Sequence, residues 1–288
     1  MLRLGPPPPG HRTVAWAFGG IGLSLVLQIV TGIPLGLVFA AAGRQDHLQD
    51  APGFIAASVL LAGFCGLAAF TIAAARMRWS VNDGGIRKGI GFWPSFGLTV
   101  GVLIGFGALS KGWEKLVHPP KDTHVVIKAL EEHPSFWIVV LFALGAGVLA
   151  PIAEELLFRG LLFRALTKFG LPAALVVSGA VFGALHAGAV PAKLLPLLAV
   201  LGALLALLYA MTGSIVAPMC LHAFINATSV GQTTGSTDGQ KTAWSVATLI
   251  VAWGLIALLR FGYGRGTSLS EPDLAPELAP ASDVTRPW

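Results

Sequence analysis

Stretches of about 17–30 apolar residues recur from one end of this 288-residue chain to the other. Each is long enough to cross the ~30 Å hydrocarbon core of a bilayer as a helix. A soluble all-α domain would alternate apolar and polar faces every turn, and these runs mostly do not. Charged residues make up 11% of the chain, against roughly 25% in an average soluble domain. The expected fold is therefore all-α: a polytopic membrane helix bundle of about eight transmembrane helices. Candidate spans are 14–42, 53–75, 93–110, 136–167, 171–187, 190–212, 214–230 and 242–261. Pro, Gly and charge clusters such as RQDHLQDAPG, KFGLP, MTGS and TTGSTDGQK separate them.

The organisation that follows is an N-terminal segment 1–13, a single bundle 14–265 with its polar residues between about 130 and 230, and a tail 266–288. The tail is rich in Pro, Ala and acids and is expected to be disordered. The loop 111–135 mixes charge with aromatic residues and reads as an interfacial amphipathic segment. The net charge of +5 is a topology signal, because the basic residues are spread over short loops and form no nucleic-acid patch. With the N-terminus cytoplasmic, ten Lys and Arg fall on that side against seven on the other. That places both termini inside. Cys65 and Cys220 lie within apolar runs and read as reduced core residues.

Few polar groups enter these spans. Of 14 acidic residues only Glu154 and Glu155 lie deep in an apolar run, and of seven histidines only His186 and His222 do. Asn226 and Arg159 join them. A charge at mid-helix costs roughly 2.5–3.5 kcal/mol, so two glutamates and an arginine cost on the order of 8–10 kcal/mol if all stay ionised. Part of the offset is local: Glu155 and Arg159 are one helical turn apart and can pair. Glu154 points about 100° away round the helix and is left for another partner. Two other islands repeat that one-turn spacing, Phe182 with His186 and His222 with Asn226. Bringing the three faces together in a bundle interior is the economical way to bury them.

Taken singly, buried His and Asn residues often only bridge helices. Jointly, a Glu, two His and an Asn on three spans suit chemistry on water. Two arrangements use them, and the sequence accommodates both. In one, Glu154, His186 and His222 bind Zn²⁺, which acidifies a water. In the other no metal takes part: Glu154 is the general base on a water held by His186, and His222 and Asn226 donate to the oxyanion. A proton-coupled transporter using Glu, His and Arg as a relay is an alternative from a different class. A non-catalytic immunity or scaffold protein is a third.

At these residues the chain resembles the CAAX-protease and bacteriocin-processing family of intramembrane endopeptidases, also called the Abi family. Its signatures E-E-x-x-x-R, F-x-x-x-H and H-x-x-x-N/B stand here as EELLFR (154–159), FGALH (182–186) and HAFIN (222–226), in order and without departure at a key position. The resemblance spans about residues 130–230. It implies an eight-helix bundle with a polar cavity open to the cytosolic side. It also implies Glu154 as base or ligand, Glu155, Arg159 and Phe182 as supporting residues, and His186, His222 and Asn226 completing the site. Members have been described both as metalloproteases and as metal-free glutamate enzymes. The expected partners are membrane lipid and a peptide or membrane-protein substrate. The expected location is a bacterial plasma membrane, where relatives are linked to processing of small secreted peptides.

Overall fold

A computed structural model describes residues 12–41, 52–79, 83–118, 135–235 and 237–263. The segment 1–11, most of the 111–135 loop and the tail 266–288 lie outside those residues. Eight helices follow in chain order: α1 (Arg12–Ala41), α2 (Pro52–Met77), α3 (Phe92–Val117), α4 (Phe136–Phe169), α5 (Leu171–Ala184), α6 (Leu195–Thr212), α7 (Val216–Thr234) and α8 (Asp238–Tyr263). There is no strand among the described residues, so the all-α expectation holds. α3 runs two turns further than its apolar stretch because KGWEKLV continues as helix. In that extension the Ser110 hydroxyl donates to Glu114, and the Trp113 indole N–H donates to the Lys193 carbonyl.

Six of the eight helices, α1–α4, α6 and α8, are long and apolar enough to cross a membrane. The chain is thus a multi-pass membrane protein by the length and composition of its helices. The other two fall short for physical reasons. α5 has 14 residues, about 21 Å at 1.5 Å per residue, less than a bilayer core. α7 has 19 residues but carries His222, Asn226 and a run of Thr, Ser and Gln. Several of those hydroxyls are satisfied on the helix's own preceding carbonyls, Thr233 on Ser229 and Thr234 on Val230 among them.

α4 is the axis of the bundle. From Pro151 to Leu166 only Glu154 is more than marginally exposed, as suits a helix apolar on every face. Its second half is enclosed by α1, α2, α5 and α6, with Leu161, Leu162 and Phe163 fully buried. α3 is peripheral, with no buried residue. It leans through Leu98, Val102, Leu103 and Phe106 on a leucine cluster of α6 and α7. Aromatic side chains gather at the helix ends, Phe92, Trp93 and Phe96 on α3 and Phe136, Trp137 and Trp244 on α4 and α8. Such belts suit the two membrane–water interfaces.

The turn into α5 needs Gly170, whose φ of 94° disfavours any side chain. α5 and α6 then form a very close pair. A Cβ on Gly179 would lie 2.6 Å from the Ala199 carbonyl oxygen, and one on Gly183 would lie 2.7 Å from that of Leu195. Two glycines one turn apart let the backbones approach as lipid-embedded helices do. Phe182, between them in sequence, is consequently held against Gly202 of α6.

Candidate active site

The two glutamates occupy the short α-helical piece Ala150–Glu155, between π-helical segments at Ala143–Leu149 and Leu156–Phe163. π turns inside α-helices recur at functional sites because they displace the hydrogen-bond register. Here the cause of the first can be read from one residue. The Ala150 N–H reaches back five residues to the Gly145 carbonyl, and Pro151 has no N–H to give. The Ala146 carbonyl therefore loses both its fourth and its fifth following residue as donors. Asn226 of α7 takes over, its side-chain N–H₂ donating to that carbonyl at 2.8 Å. The last residue of the third motif thus locks α7 onto α4 two turns before Glu154.

Asn226→Ala should strand that carbonyl and cost about 0.6–1.7 kcal/mol, the range of helix-bridging bonds in membranes. In a Pro151→Ala background the new N–H at 151 supplies a donor, so the same substitution should cost less. Unfolding midpoints of the four proteins in lipid check this coupling.

Around the glutamates the geometry separates two roles. Glu155 is fully buried, and its Oε1 accepts from Arg159 Nη1 at 2.8 Å and from His222 Nδ1 at 2.9 Å. A carboxylate only accepts, so the Nδ1–H of His222 donates to it. The Nε2 of the same ring lies 3.8 Å from Oε2 of Glu154. Glu154 has a side chain 27% exposed, yet its Oε2 is buried without a hydrogen-bond partner. Arg159 is 1% exposed and gives its second arm to the Gly202 carbonyl of α6 at 2.9 Å. That contact ties the ion pair to the close α5–α6 pair.

Phe182 is the ring on which the site turns. It packs edge-on to Phe158 at 5.1 Å and to His222 at 5.7 Å, and meets His186 at 4.7 Å between centroids. The Arg159 guanidinium sits 4.7 Å from its centroid, a cation–π contact in a desolvated place. At the end of α5 the His186 backbone N–H turns to Gly183, and the His186 Nδ1–H donates to the Phe182 carbonyl at 2.7 Å. The one-turn spacing of F-x-x-x-H thus lets an imidazole cap an orphan carbonyl at a helix end.

The three islands meet, though unevenly. Glu154, Glu155, Arg159 and His222 form one connected cluster, with Phe182 against it. His186 lies against Phe182, half-exposed, and Asn226 is joined through Ala146. Among the described residues no group of three or more His, Cys, Asp or Glu side chains is placed to hold a metal ion. Glu154 and His222 are near enough to share a ligand, but His186 does not close the set. Cys65 and Cys220 are free thiols, and the backbone at Cys220 faces α8, its carbonyl accepting from Trp253. Sequence reasoning missed Pro151, Ala146 and Gly202; a proline three residues before the glutamates was the available signal for the first two.

Comparison with known proteins bears on this cluster directly. Residues 135–228 match one family model, described as type II CAAX prenyl endopeptidase Rce1-like. The match covers about a third of the 288-residue chain and contains all three motifs and every site residue named above. It agrees with the resemblance drawn from the motifs and supports an intramembrane endopeptidase. No curated protein and no solved structure matches the chain.

Proposed function

We propose that the chain hydrolyses peptide bonds close to the membrane, using Glu154 as general base on a water held jointly with His222. One observation carries this reading. Glu154 Oε2 and His222 Nε2 face each other 3.8 Å apart, and the carboxylate oxygen is buried without a partner among the described residues. A water between them donates one hydrogen to each and turns its own lone pairs outward. Its oxygen attacks the scissile carbonyl carbon while its proton passes to Glu154, which later delivers it to the leaving amine nitrogen. The second amide hydrogen of Asn226 serves the developing oxyanion.

The assignment differs from the expectation that His186 holds the water. Its Nδ1–H is engaged with the Phe182 carbonyl, while His222 is the imidazole beside Glu154. Access suits a peptide. α5 packs along the second half of α4, with Phe182 against Phe158, and Glu154, one turn before Phe158, is the exposed residue of its stretch.

Cleavage of a membrane-spanning reporter peptide by purified protein in lipid, with bound metal measured alongside, tests the proposal. Expected is cleavage that survives exhaustive chelation and is lost in His222→Ala. Loss on chelation with recovery on adding Zn²⁺ would transfer Glu154 and His222 to a metal mechanism. A parent protein that cuts none of a panel of membrane peptides would remove the peptidase reading.

A further inference from the structure

Between α2 and α8, over α4, lies an apolar groove of about 490 Å³. α4 contributes its floor through Leu149, Ile152 and Leu156. Ile152 and Leu156 each stand two residues from Glu154, about 200° round the helix, so the groove and the catalytic pair do not share a face. One wall is a stripe of α2 running from Leu67 through Ala74 to Trp79, and the other is Leu255 and Leu259 of α8. From Leu67 to the end of α2 the stripe is about 15 Å long at 1.5 Å per residue, the scale of a lipid chain.

Two exposed arginines are immediate chain neighbours of residues that line this groove. Arg78 adjoins the lining residue Trp79, and Arg260 adjoins the lining residue Leu259 in the last turn of α8. Both arginines are exposed, and neither pairs with a carboxylate among the described residues. Arg76, by contrast, lies over the Trp16 ring. An apolar slot with two exposed arginines one residue from its lining is complementary to a molecule with a hydrocarbon chain and an anionic head. Both arginines also belong to the set that the charge bias assigns to the cytoplasmic face, where anionic lipids concentrate. We infer that this groove is a binding site for one anionic phospholipid, an acyl chain between α2 and α8 and the phosphate at Arg78 and Arg260.

Native mass spectrometry of the delipidated full chain, titrated with phosphatidylglycerol or phosphatidylcholine, tests the site independently of any peptidase activity. The expected result is retention of one phosphatidylglycerol and no comparable retention of phosphatidylcholine. Arg78→Gln with Arg260→Gln should weaken the phosphatidylglycerol about 30-fold. Ala75→Trp, which fills the exposed lip of the groove and leaves both charges, should weaken it as well. Equal retention of the two lipids, or unchanged binding in the double glutamine variant, would overturn the proposal. So would full binding in Ala75→Trp, which would mean a headgroup held at the surface with no chain in the groove.

Discussion

Arg159→Ala lowers the stability of the protein by about 3–5 kcal/mol, the usual consequence of breaking a buried ion pair from one side. A fall in the SDS-unfolding midpoint in lipid measures it. The size follows from what the guanidinium holds. One arm answers Glu155 and the other the Gly202 carbonyl, and its face lies on Phe182. Without it a buried carboxylate, whose Oε2 already lacks a hydrogen bond, keeps His222 as its sole described partner. Arg159→Lys should recover only part of the loss, since an ammonium is a point charge and does not reproduce the planar two-armed geometry. Glu155→Leu with Arg159→Leu should regain much of the stability, because apolar packing often replaces a buried pair without penalty. That double variant should nevertheless be inactive, since nothing then fixes the Nδ1 proton of His222. An Arg159→Ala protein that unfolds at the parent midpoint would mean that the pair anchors nothing.

This coupling explains which parts of the molecule were legible from sequence. The Glu155–Arg159 contact was, because one-turn spacing on a helix puts two side chains on one face whatever surrounds it. So was the meeting of the islands, since polar groups in apolar helices have nowhere else to go. The partners that are backbone atoms were not. Arg159 finds the Gly202 carbonyl only because glycines let α5 and α6 approach closely, and Asn226 finds Ala146 only because Pro151 breaks the hydrogen-bond register. Spacing rules assume an unbroken α-helix, and α4 is not one.

The same limit applies to His186. Its place one turn after Phe182 makes it a candidate either to hold the reacting water or to bind a metal. At the last turn of a short helix the nearest demand on it is local, an unpaired carbonyl, and its ring is orientated by that. The end of α5 is legible to within three residues, because HAGAVP breaks the apolar run after the expected span 171–187 and the helix stops at Ala184.

Glu154→Gln should lower peptide cleavage by at least about 10²–10⁴-fold, the usual contribution of a positioned general base, while leaving the unfolding midpoint near that of the parent. The contrast with Glu155 is the point of the experiment. Glu155 is fully buried and answers two cations or donors, whereas Glu154 is partly exposed and its buried oxygen answers none. An amide of the same shape removes the basic oxygen and little else from the packing. Glu155→Gln should do the reverse in stability, leaving Arg159 with a weaker acceptor in a buried place. If the two glutamine variants lose activity and stability in parallel, Glu154 is another structural group and the water is activated elsewhere. If Glu154→Gln cleaves at the parent rate, the proposal fails at its first step, because Glu155, the other carboxylate beside His222 among the described residues, is held by Arg159.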